Sequence, residues 1–464
     1  MDIRGWCKHR TRVLALILAV SVLLRIGVAF YLGDVAAAPP LLVDQVSYHT
    51  LATRLLTGHG FSFGKDWYPF TRANTPTAHW SFLYPLYLAA VYVVSGVHPL
   101  AARLAGAVLG GILLPLAVYR WCKRLFPERA GVAVIAAGCA AVYFYFVLYA
   151  ATLMTETFYI CALVWSLERV EALAESPTLR HGAVLGLSLG IATLLRQSIL
   201  PWVVVLGAWL LWVGWQSKRL RATLASGVAA GLVLVLCIAP FTIRNYHVYG
   251  QFLLLNSNAG YAMYSAQHPM HGTSFQEFEA APLPKELAGQ GLNEAQWDKE
   301  LMRRGVGFVL AEPRRYLLLS LSRVLDYFEF WPTADTTLLH NVGRVGSIGV
   351  FLPFMLYGLW LALRAGARAS PNARDAPQGG VVTVVTSKQA RVVFSTTPLA
   401  LALMFIVFYP PLHIFTWAAP RYRLPVDAVV LPFAALALME LGRAMYGRLV
   451  ARQGDQTQEE ATFR

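Results

Sequence analysis

Long apolar runs recur along this chain, and they constrain its fold more than any single motif. The first covers residues 13–32, and a run of ~20 apolar residues is what a helix needs to cross a bilayer. Of the 464 residues, 57% are hydrophobic and 14% are charged, which is too apolar a composition for a soluble globular protein. The sequence therefore predicts an all-α polytopic membrane protein.

Lysine and arginine are concentrated in four short connections, at 120–129, 216–221, 364–391 and 443–452. Basic connections of this kind remain on the cytoplasmic side of a membrane. If all four are cytoplasmic, ten spans alternate across the bilayer and both chain termini are cytoplasmic. The predicted spans are 13–32, 99–119, 131–151, 156–170, 182–199, 201–216, 223–243, 345–363, 393–410 and 424–441.

Two apolar segments differ from an ordinary span. The basic N-terminus and its apolar run resemble a secretory signal, but the length of the run and Arg25 within it favour an uncleaved first helix. A span at 81–97 would break the alternation of basic connections. Its length, its internal Pro85 and its three tyrosines favour a helix that lies in the outer interface.

The predicted spans divide the chain into three parts. Residues 1–244 form a seven-span module whose first outer loop is 33–98, residues 245–343 form a large outer loop with interfacial helices, and residues 344–464 form a three-span module with a linker at 365–391 and a cytoplasmic tail. The net charge of +14 does not indicate nucleic-acid binding, because the basic residues lie between apolar runs. None of the five cysteines falls in a predicted outer loop, so no disulfide framework is expected.

Two carboxylates stand at the outer side of this topology. Asp44 follows the first span and lies one helical turn before Tyr48, at the head of the face expected to pack inward. Glu156 is the only charged residue between positions 131 and 167, at the tip of a predicted hairpin. A lone carboxylate beside lipid indicates a functional site. The alternative for both residues is that they only cap the helices that follow them.

Four arginines oppose the positive-inside trend, because each lies at the outer end of a span. They are Arg196, Arg244, Arg421 and Arg423. Guanidinium groups at headgroup depth suit a lipid phosphate, which they bind through paired charge-assisted hydrogen bonds. Snorkelling towards ordinary lipid headgroups is the alternative for any one of them. Four at one depth, together with two carboxylates, favour a site.

Weaker candidates for substrate contacts lie in the outer loops. The stretch 245–281 is rich in amide and aromatic side chains, which suit sugar binding and equally suit an interfacial loop. We therefore expect Asn245, Asn258 and Tyr261 to contact the substrate, together with Tyr48 and His413. Binding of a divalent metal between Asp44 and Glu156 is a further alternative, because the outer segments also contain His79, His268, His271 and His413. The spacing of these histidines matches no standard ligand motif.

Four segments, taken in order, resemble bacterial polyprenyl-phosphate-sugar-dependent glycosyltransferases. These are membrane enzymes of the C-type superfamily, related to protein O-mannosyltransferases and to the lipid A aminoarabinose transferase. The segments are DQVSY at 44–48, the hairpin glutamate at 156, PFTIRNY at 240–246 and RYRLP at 421–425. The resemblance extends over residues 12–440 and is strongest over the first seven spans.

The resemblance implies an inverting transfer of a sugar from a polyprenyl phosphate to an acceptor hydroxyl, at the periplasmic face of the bacterial inner membrane. Members of the family place an acidic catalytic base in the first outer loop, which corresponds to Asp44. Many follow it with a glutamate, where this chain has Gln45. The arginines would stabilise the leaving phosphate, and Glu156 would orient the acceptor or share a metal with Asp44. The acceptor, whether glycolipid, glycan or protein, is not implied.

Two other functions compete with this interpretation. A flippase or transporter for lipid-linked sugars would place charges near the bilayer midplane and show internal repeats, whereas here the charges lie at the outer face and no repeat is visible. An enzyme like the O-antigen ligases would use a pyrophosphate-linked donor and carry a large late outer loop. The early acid-bearing loop and the hairpin glutamate favour the phosphate-linked donor.

Overall fold

The computed structural model describes residues 3–36, 44–275, 280–334, 336–368 and 397–462, and its ordered elements are helices. Most of the predicted 365–391 linker lies outside these described residues. The described residues form eighteen α-helices, in chain order α1 Ile3–Leu32, α2 Asp44–Leu56, α3 Leu83–Ser95, α4 Pro99–Leu125, α5 Ala130–Val142, α6 Phe144–Ala150, α7 Glu156–Glu175, α8 Leu179–Leu195, α9 Leu200–Gln216, α10 Leu220–Tyr249, α11 Ala259–Gln267, α12 Lys285–Ala288, α13 Glu294–Ala311, α14 Pro313–Phe328, α15 Leu338–Arg344, α16 Val350–Arg368, α17 Pro398–Ile414 and α18 Leu424–Thr462.

The predicted all-α membrane class is confirmed. Among the described residues, six helices are long and apolar enough to cross a membrane, and α5 with α6, which meet at a bend of 59°, would make a seventh. The six are Arg10–Leu32, Pro99–Leu125, Gln197–Gln216, Leu220–Tyr249, Leu338–Ala365 and Pro420–Leu449. The segment predicted to lie in the interface is the short apolar helix α3.

The other three of the ten predicted spans fall on helices that do not meet this criterion. Helices α8 and α17 are apolar but have 17 residues each. Helix α7 has 20 residues but carries several charged ones in its second half. Glu168 and Glu171 in that half are buried, and Arg124 pairs with Glu168 at 3.1 Å and with the exposed Glu175 at 2.5 Å.

Small residues bring the short helix α8 against α10. A side chain at Gly182, Gly186 or Gly190 would collide with α10, since an added Cβ would lie 2.1 Å from the Ser226 carbonyl oxygen and 2.3 Å from that of Ala230. Small residues at helical spacing allow such close contact between membrane helices.

The break between α5 and α6 has a defined partner. Arg25 is fully buried in α1 and donates to the carbonyl oxygens of Ala140 at 3.2 Å and Ala141 at 3.0 Å, just before the bend. A bend in a membrane helix frees backbone carbonyls that need new donors. The arginine that argued against signal cleavage thus helps to hold the first helix in the bundle.

The connections on one side of the bundle pack together and are called the loop side here; they comprise residues 44–82 and, as a second part, residues 251–275, 280–334 and 336–337. Glu294 joins its two parts. Its carboxylate accepts hydrogen bonds from Thr71 Oγ1 at 2.5 Å, the Ala78 amide at 2.8 Å and Ser257 Oγ at 3.0 Å. Because this carboxylate is buried, each bond lost would leave a polar group unsatisfied.

Helix α14 on the loop side is amphipathic, as expected for an interfacial helix. It exposes Leu317, Leu321 and Leu325 on one face, and buries Leu319 and Arg323. A row of exposed leucines four residues apart is typical of a helix that lies flat in the membrane interface.

Candidate active site

The two predicted carboxylates meet around one arginine. Asp44 begins α2 and Glu156 begins α7. Nη1 of Arg421 lies 2.9 Å from Asp44 Oδ2 and 3.9 Å from Glu156 Oε1. Asp44 and Arg421, which are 377 positions apart in the sequence, therefore belong to one cluster of charges. Both carboxylates bind guanidinium groups, which favours the site interpretation over simple helix capping.

Arg196 completes the cluster from the end of α8. Its Nη2 lies 2.5 Å from Glu156 Oε1, and its Nε donates to Thr155 Oγ1 at 3.1 Å. Tyr422 contacts both cations, since its ring lies 5.1 Å from the Arg196 guanidinium and 5.2 Å from that of Arg421. Such cation–π contacts help to hold two like charges close together.

His413 stacks on the ring of Tyr422. Its ring lies 4.8 Å from that of Tyr422, at an interplanar angle of 16°. The Nε2 atom of His413 is buried and forms no hydrogen bond within the described part of the chain. A turn of 3₁₀ helix at Pro420–Arg423 carries Arg421 and Tyr422 to this position.

The cluster lines a cavity of about 1370 Å³ on the loop side. Its volume suits a ligand larger than most small molecules. The cavity wall combines charged groups with aromatic and apolar side chains. Asp44, Tyr48, Arg196, Asn258, Tyr261, His413 and Arg421 are the predicted site residues that line it.

Four other predicted site residues lie outside the cavity lining, and three of them, Arg423, Arg244 and Asn245, have partners elsewhere. Arg423 is buried, and its Nε binds both carboxylate oxygens of Asp427, at 3.2 and 3.3 Å. Arg244 packs over the ring of Phe82 and donates to Asn245 Oδ1 at 2.9 Å. Asn245 itself donates to the carbonyl of Leu255 at 2.7 Å. These contacts favour structural roles for all three.

Glu156 stands directly behind the cavity wall. It is 2% exposed, and its Oε2 atom forms no hydrogen bond among the described residues. Because its other oxygen is bound to Arg196, this carboxylate holds the cation in place from behind. The geometry therefore fits a positioning role.

Gln45 has a clear place in this structure. Its Oε1 accepts hydrogen bonds from Arg103 Nη1 and from the Leu153 amide, both at 2.9 Å. It thereby ties the start of α2 to the connection that leads to Glu156. A neutral amide beside Asp44 thus sets the distance between the two acids without adding charge.

Several cavity residues were missed by sequence reasoning. Trp67, Tyr68 and Trp80 come from the first outer loop, Gln197 follows Arg196, and Arg344 ends α15. Gln197 Nε2 donates to Asn258 Oδ1 at 3.0 Å, which joins α8 to the second outer loop. The available signal was the density of aromatic residues in 61–82, immediately after the acid-bearing helix.

Burial shifts the pKa values of two groups on the loop side of the cavity. The pKa of the His79 imidazole is lowered, mainly by its burial, so the ring is neutral at pH 7. Burial, and then the neighbouring Tyr261, raise the pKa of the Tyr68 hydroxyl. Both side chains therefore present neutral hydrogen-bonding groups to a ligand.

The predicted metal alternative finds no support in this geometry. Within the described ranges, no three His, Cys, Asp or Glu side chains come together to hold an ion. One oxygen of Asp44 is bound by Arg421, and one oxygen of Glu156 is bound by Arg196. His271 hydrogen-bonds the Ser265 carbonyl instead. We therefore derive no step that uses a metal.

Comparison with known proteins supports the family resemblance. Residues 79–243 match the family model described as dolichyl-phosphate-mannose-protein mannosyltransferase. The match spans 165 of the 464 residues. The matched domain includes both Glu156 and Arg196. No curated protein matches the chain.

The fold is similar to that of the oligosaccharyltransferase AglB from Archaeoglobus fulgidus. The AglB complex with an inhibitory peptide and a dolichol-phosphate has a TM-score of 0.57 and 15% identity, over 98% of this chain and 52% of that one. The apo form of that oligosaccharyltransferase has a TM-score of 0.54 and 17% identity, over 95% of this chain and 52% of that one. The chain thus spans about half the length of these proteins. ArnT from Cupriavidus metallidurans bound to undecaprenyl phosphate has a TM-score of 0.37 and 15% identity, over 97% of this chain and 80% of that one.

Proposed function

We propose that this protein is an inverting glycosyltransferase that moves a sugar from a polyprenyl-phosphate donor to an acceptor hydroxyl. The observation that carries the proposal is the cluster of Asp44, Arg421, Glu156 and Arg196 at the wall of one large cavity. The family domain at 79–243 supports sugar transfer, and the charges supply both a base and a site for the phosphate.

The donor phosphate binds at Arg421 and Arg196. A sugar-bearing polyprenyl phosphate is a diester with one negative charge, and the polyprenyl phosphate that leaves carries up to two. Preorganised cations at a shielded position stabilise the charge that develops during this step. Nε of Arg421 is buried without a hydrogen bond to any described residue, so this guanidinium has a donor to spare.

Asp44 is the base. The acceptor oxygen attacks the anomeric carbon from the face opposite the phosphate, the bond from that carbon to the phosphate oxygen breaks, and the acceptor proton passes to Asp44. One displacement of this kind inverts the anomeric configuration. Proton removal by a positioned carboxylate contributes about 10²- to 10⁴-fold in rate.

The loop side faces the periplasm of a bacterial inner membrane in this proposal, and both termini are cytoplasmic. Cysteine labelling tests this orientation, with exposed Lys65 and Thr273 as loop-side positions and exposed Ser217 as the opposite one. A membrane-impermeant thiol reagent added to intact cells should label the first two and not the third. The reverse pattern would overturn the orientation.

The test of function is the release of undecaprenyl phosphate in proteoliposomes. Donors with mannose, glucose or aminoarabinose on undecaprenyl phosphate are supplied with a membrane glycolipid extract as acceptor. We expect wild-type protein to release undecaprenyl phosphate from at least one donor and Asp44→Asn to be slower by about 10²-fold or more. Equal rates for the two proteins would remove Asp44 from the chemistry, and translocation of intact donor without release would identify a flippase.

A further inference from the structure

Aromatic side chains gather in one part of the cavity wall. This aromatic cluster consists of Trp67, Tyr68, His79, Trp80 and Tyr261, all of which line the cavity. The His79 ring meets Trp80 edge-on, with centroids 5.3 Å apart, and Tyr68 meets Tyr261 in the same way at 5.4 Å. The hydroxyls of Tyr68 and Tyr261 are 2.6 Å apart.

The aromatic cluster is attached to the helix that carries the base. Trp67 Nε1 donates to Ser47 Oγ at 2.9 Å, and the Trp80 ring packs edge-on against Tyr48 at 5.7 Å. Ser47 and Tyr48 lie within about one helical turn of Asp44. A ligand held by these rings therefore lies next to the carboxylate.

The framework behind the rings is rigid. Phe63 stacks on Trp67, with centroids 4.6 Å apart and planes within 3°. Asn256 Nδ2 donates to the Trp80 carbonyl at 2.7 Å, and the buried carboxylate of Glu294 receives the Ala78 amide. The rings are thus held in place before any ligand binds, which lowers the entropic cost of binding.

Two buried ring nitrogens of the aromatic cluster are left without a partner. Trp80 Nε1, a donor, and His79 Nδ1 form no hydrogen bond to other residues in the part of the chain that the structure describes. An unmet buried polar group is costly, so such groups usually serve a ligand. A purely apolar chain would cover the rings and leave both nitrogens unsatisfied. A sugar ring offers an apolar C–H face to the rings and hydroxyls to the nitrogens.

We infer that the aromatic cluster is a carbohydrate-binding subsite that holds a pyranose ring beside Asp44. This inference rests on the proposed function and names the substrate class that its cavity recognises. The sugar belongs either to the lipid-linked donor or to a saccharide acceptor. Both present the same chemistry to the rings, and binding measurements separate them.

Two variants test the subsite. Tyr68→Ala removes a half-exposed ring (52%) that takes no part in the charged cluster, and Trp80→Phe keeps an aromatic ring but loses the indole N–H. Tyr246→Ala is the matched control, because Tyr246 is similarly exposed (58%) and lies outside the cavity lining. Binding to purified protein in nanodiscs is measured with undecaprenyl phosphate, with undecaprenyl-phosphate mannose, and with octyl mannoside and octyl glucoside at saturating undecaprenyl phosphate.

We expect both variants to bind undecaprenyl phosphate like the wild type and to bind a sugar-bearing probe about five- to tenfold more weakly, as expected for the loss of one aromatic or polar contact. Weakening confined to undecaprenyl-phosphate mannose assigns the subsite to the donor sugar, and weakening confined to the octyl glycosides assigns it to the acceptor. If no sugar-bearing probe distinguishes the variants from Tyr246→Ala, the inference is wrong. If the wild type does not bind undecaprenyl phosphate, the proposed function itself fails.

Discussion

Replacing Arg421 with glutamine tests the central charge of the cluster. Glutamine keeps much of the length of the side chain and removes the positive charge between Asp44 and Glu156. The guanidinium is 2.9 Å from the first carboxylate and 3.9 Å from the second. In the proposed function it also binds the donor phosphate. Arg421→Gln should therefore weaken the binding of undecaprenyl phosphate and slow transfer.

The size of the effect follows from the surroundings of Arg421. Its side chain is 22% exposed and that of Asp44 is 21% exposed, so water screens the contact only in part. A hydrogen bond to a charged group contributes about 1.5–3 kcal/mol in proteins. This corresponds to about 10- to 150-fold weaker binding of the phosphate. Arg421→Lys keeps the charge but loses the planar pair of donors, so its effect should be smaller.

Arg244→Gln is the matched control for this experiment. Arg244 was also predicted to bind the phosphate, but it packs over Phe82 and does not line the cavity. We expect its substitution to change undecaprenyl phosphate binding less than about threefold. Binding is measured in nanodiscs, with the thermal unfolding of each variant as a check on folding. The reasoning is refuted if Arg421→Gln binds within twofold of wild type, or if Arg244→Gln causes the larger loss.

Three further outcomes can be measured. Asp44→Asn frees Arg421 from its ion pair, so undecaprenyl phosphate should bind at least as tightly as in wild type even though transfer is lost, and weaker binding would contradict the shared use of Arg421. Glu294→Gln places an amide NH₂ against the groups that donate hydrogen bonds to the buried carboxylate. We therefore expect the free energy of unfolding to fall by about 1–3 kcal/mol and proteolysis at 61–82 to become faster. Unchanged protection from proteolysis would show that Glu294 does not join the two parts of the loop side. Burial raises the pKa of Asp298 from 3.8 to about 6; because the folded state holds this proton more tightly, the stabilising contribution is complete below about pH 4 and is lost as pH rises through about 6. Asp298→Asn can still accept from the Gly260 amide, which lies 2.6 Å from Asp298 Oδ1, and should raise the melting temperature at pH 7.5 but not at pH 4, while a lower value at pH 7.5 would refute the argument.

The charged cluster could be predicted because membrane topology limits where residues meet. Helix order and the positive-inside trend placed Asp44, Glu156, Arg196 and Arg421 at one depth on one side. In a helical bundle, residues at one depth on neighbouring spans lie close to each other. The structure brings these four residues together, although their segments are far apart in sequence.

Depth alone could not separate Arg421 from Arg423. Both lie in the same 3₁₀ turn, where alternate side chains point in different directions. Arg421 faces the cavity, whereas Arg423 turns into the bundle and meets Asp427 one helical turn later. The carboxylate at 427 was the signal available in the sequence, since a buried arginine needs an acidic partner.

The aromatic cluster was out of reach for a different reason. Trp67, Tyr68 and Trp80 lie in a loop without regular structure, so no helical or strand periodicity fixes the direction of their side chains. Their positions depend on contacts with distant residues, above all the bonds from Asn256 and Glu294. Tertiary contacts of this kind have no local pattern.

In the proposed function, the charges of the cluster connect donor binding to the activation of Asp44 as the base. Two carboxylates and two guanidinium groups formally balance within the cluster before the donor binds. Glu156 lies behind the wall and keeps Arg196 in place, whereas Asp44 lines the cavity and shares Arg421 with any arriving phosphate. A phosphate that draws Arg421 towards itself also releases Asp44 from its ion pair. The base then becomes free only when a donor is in place, which would prevent the carboxylate from acting on an acceptor in an empty site.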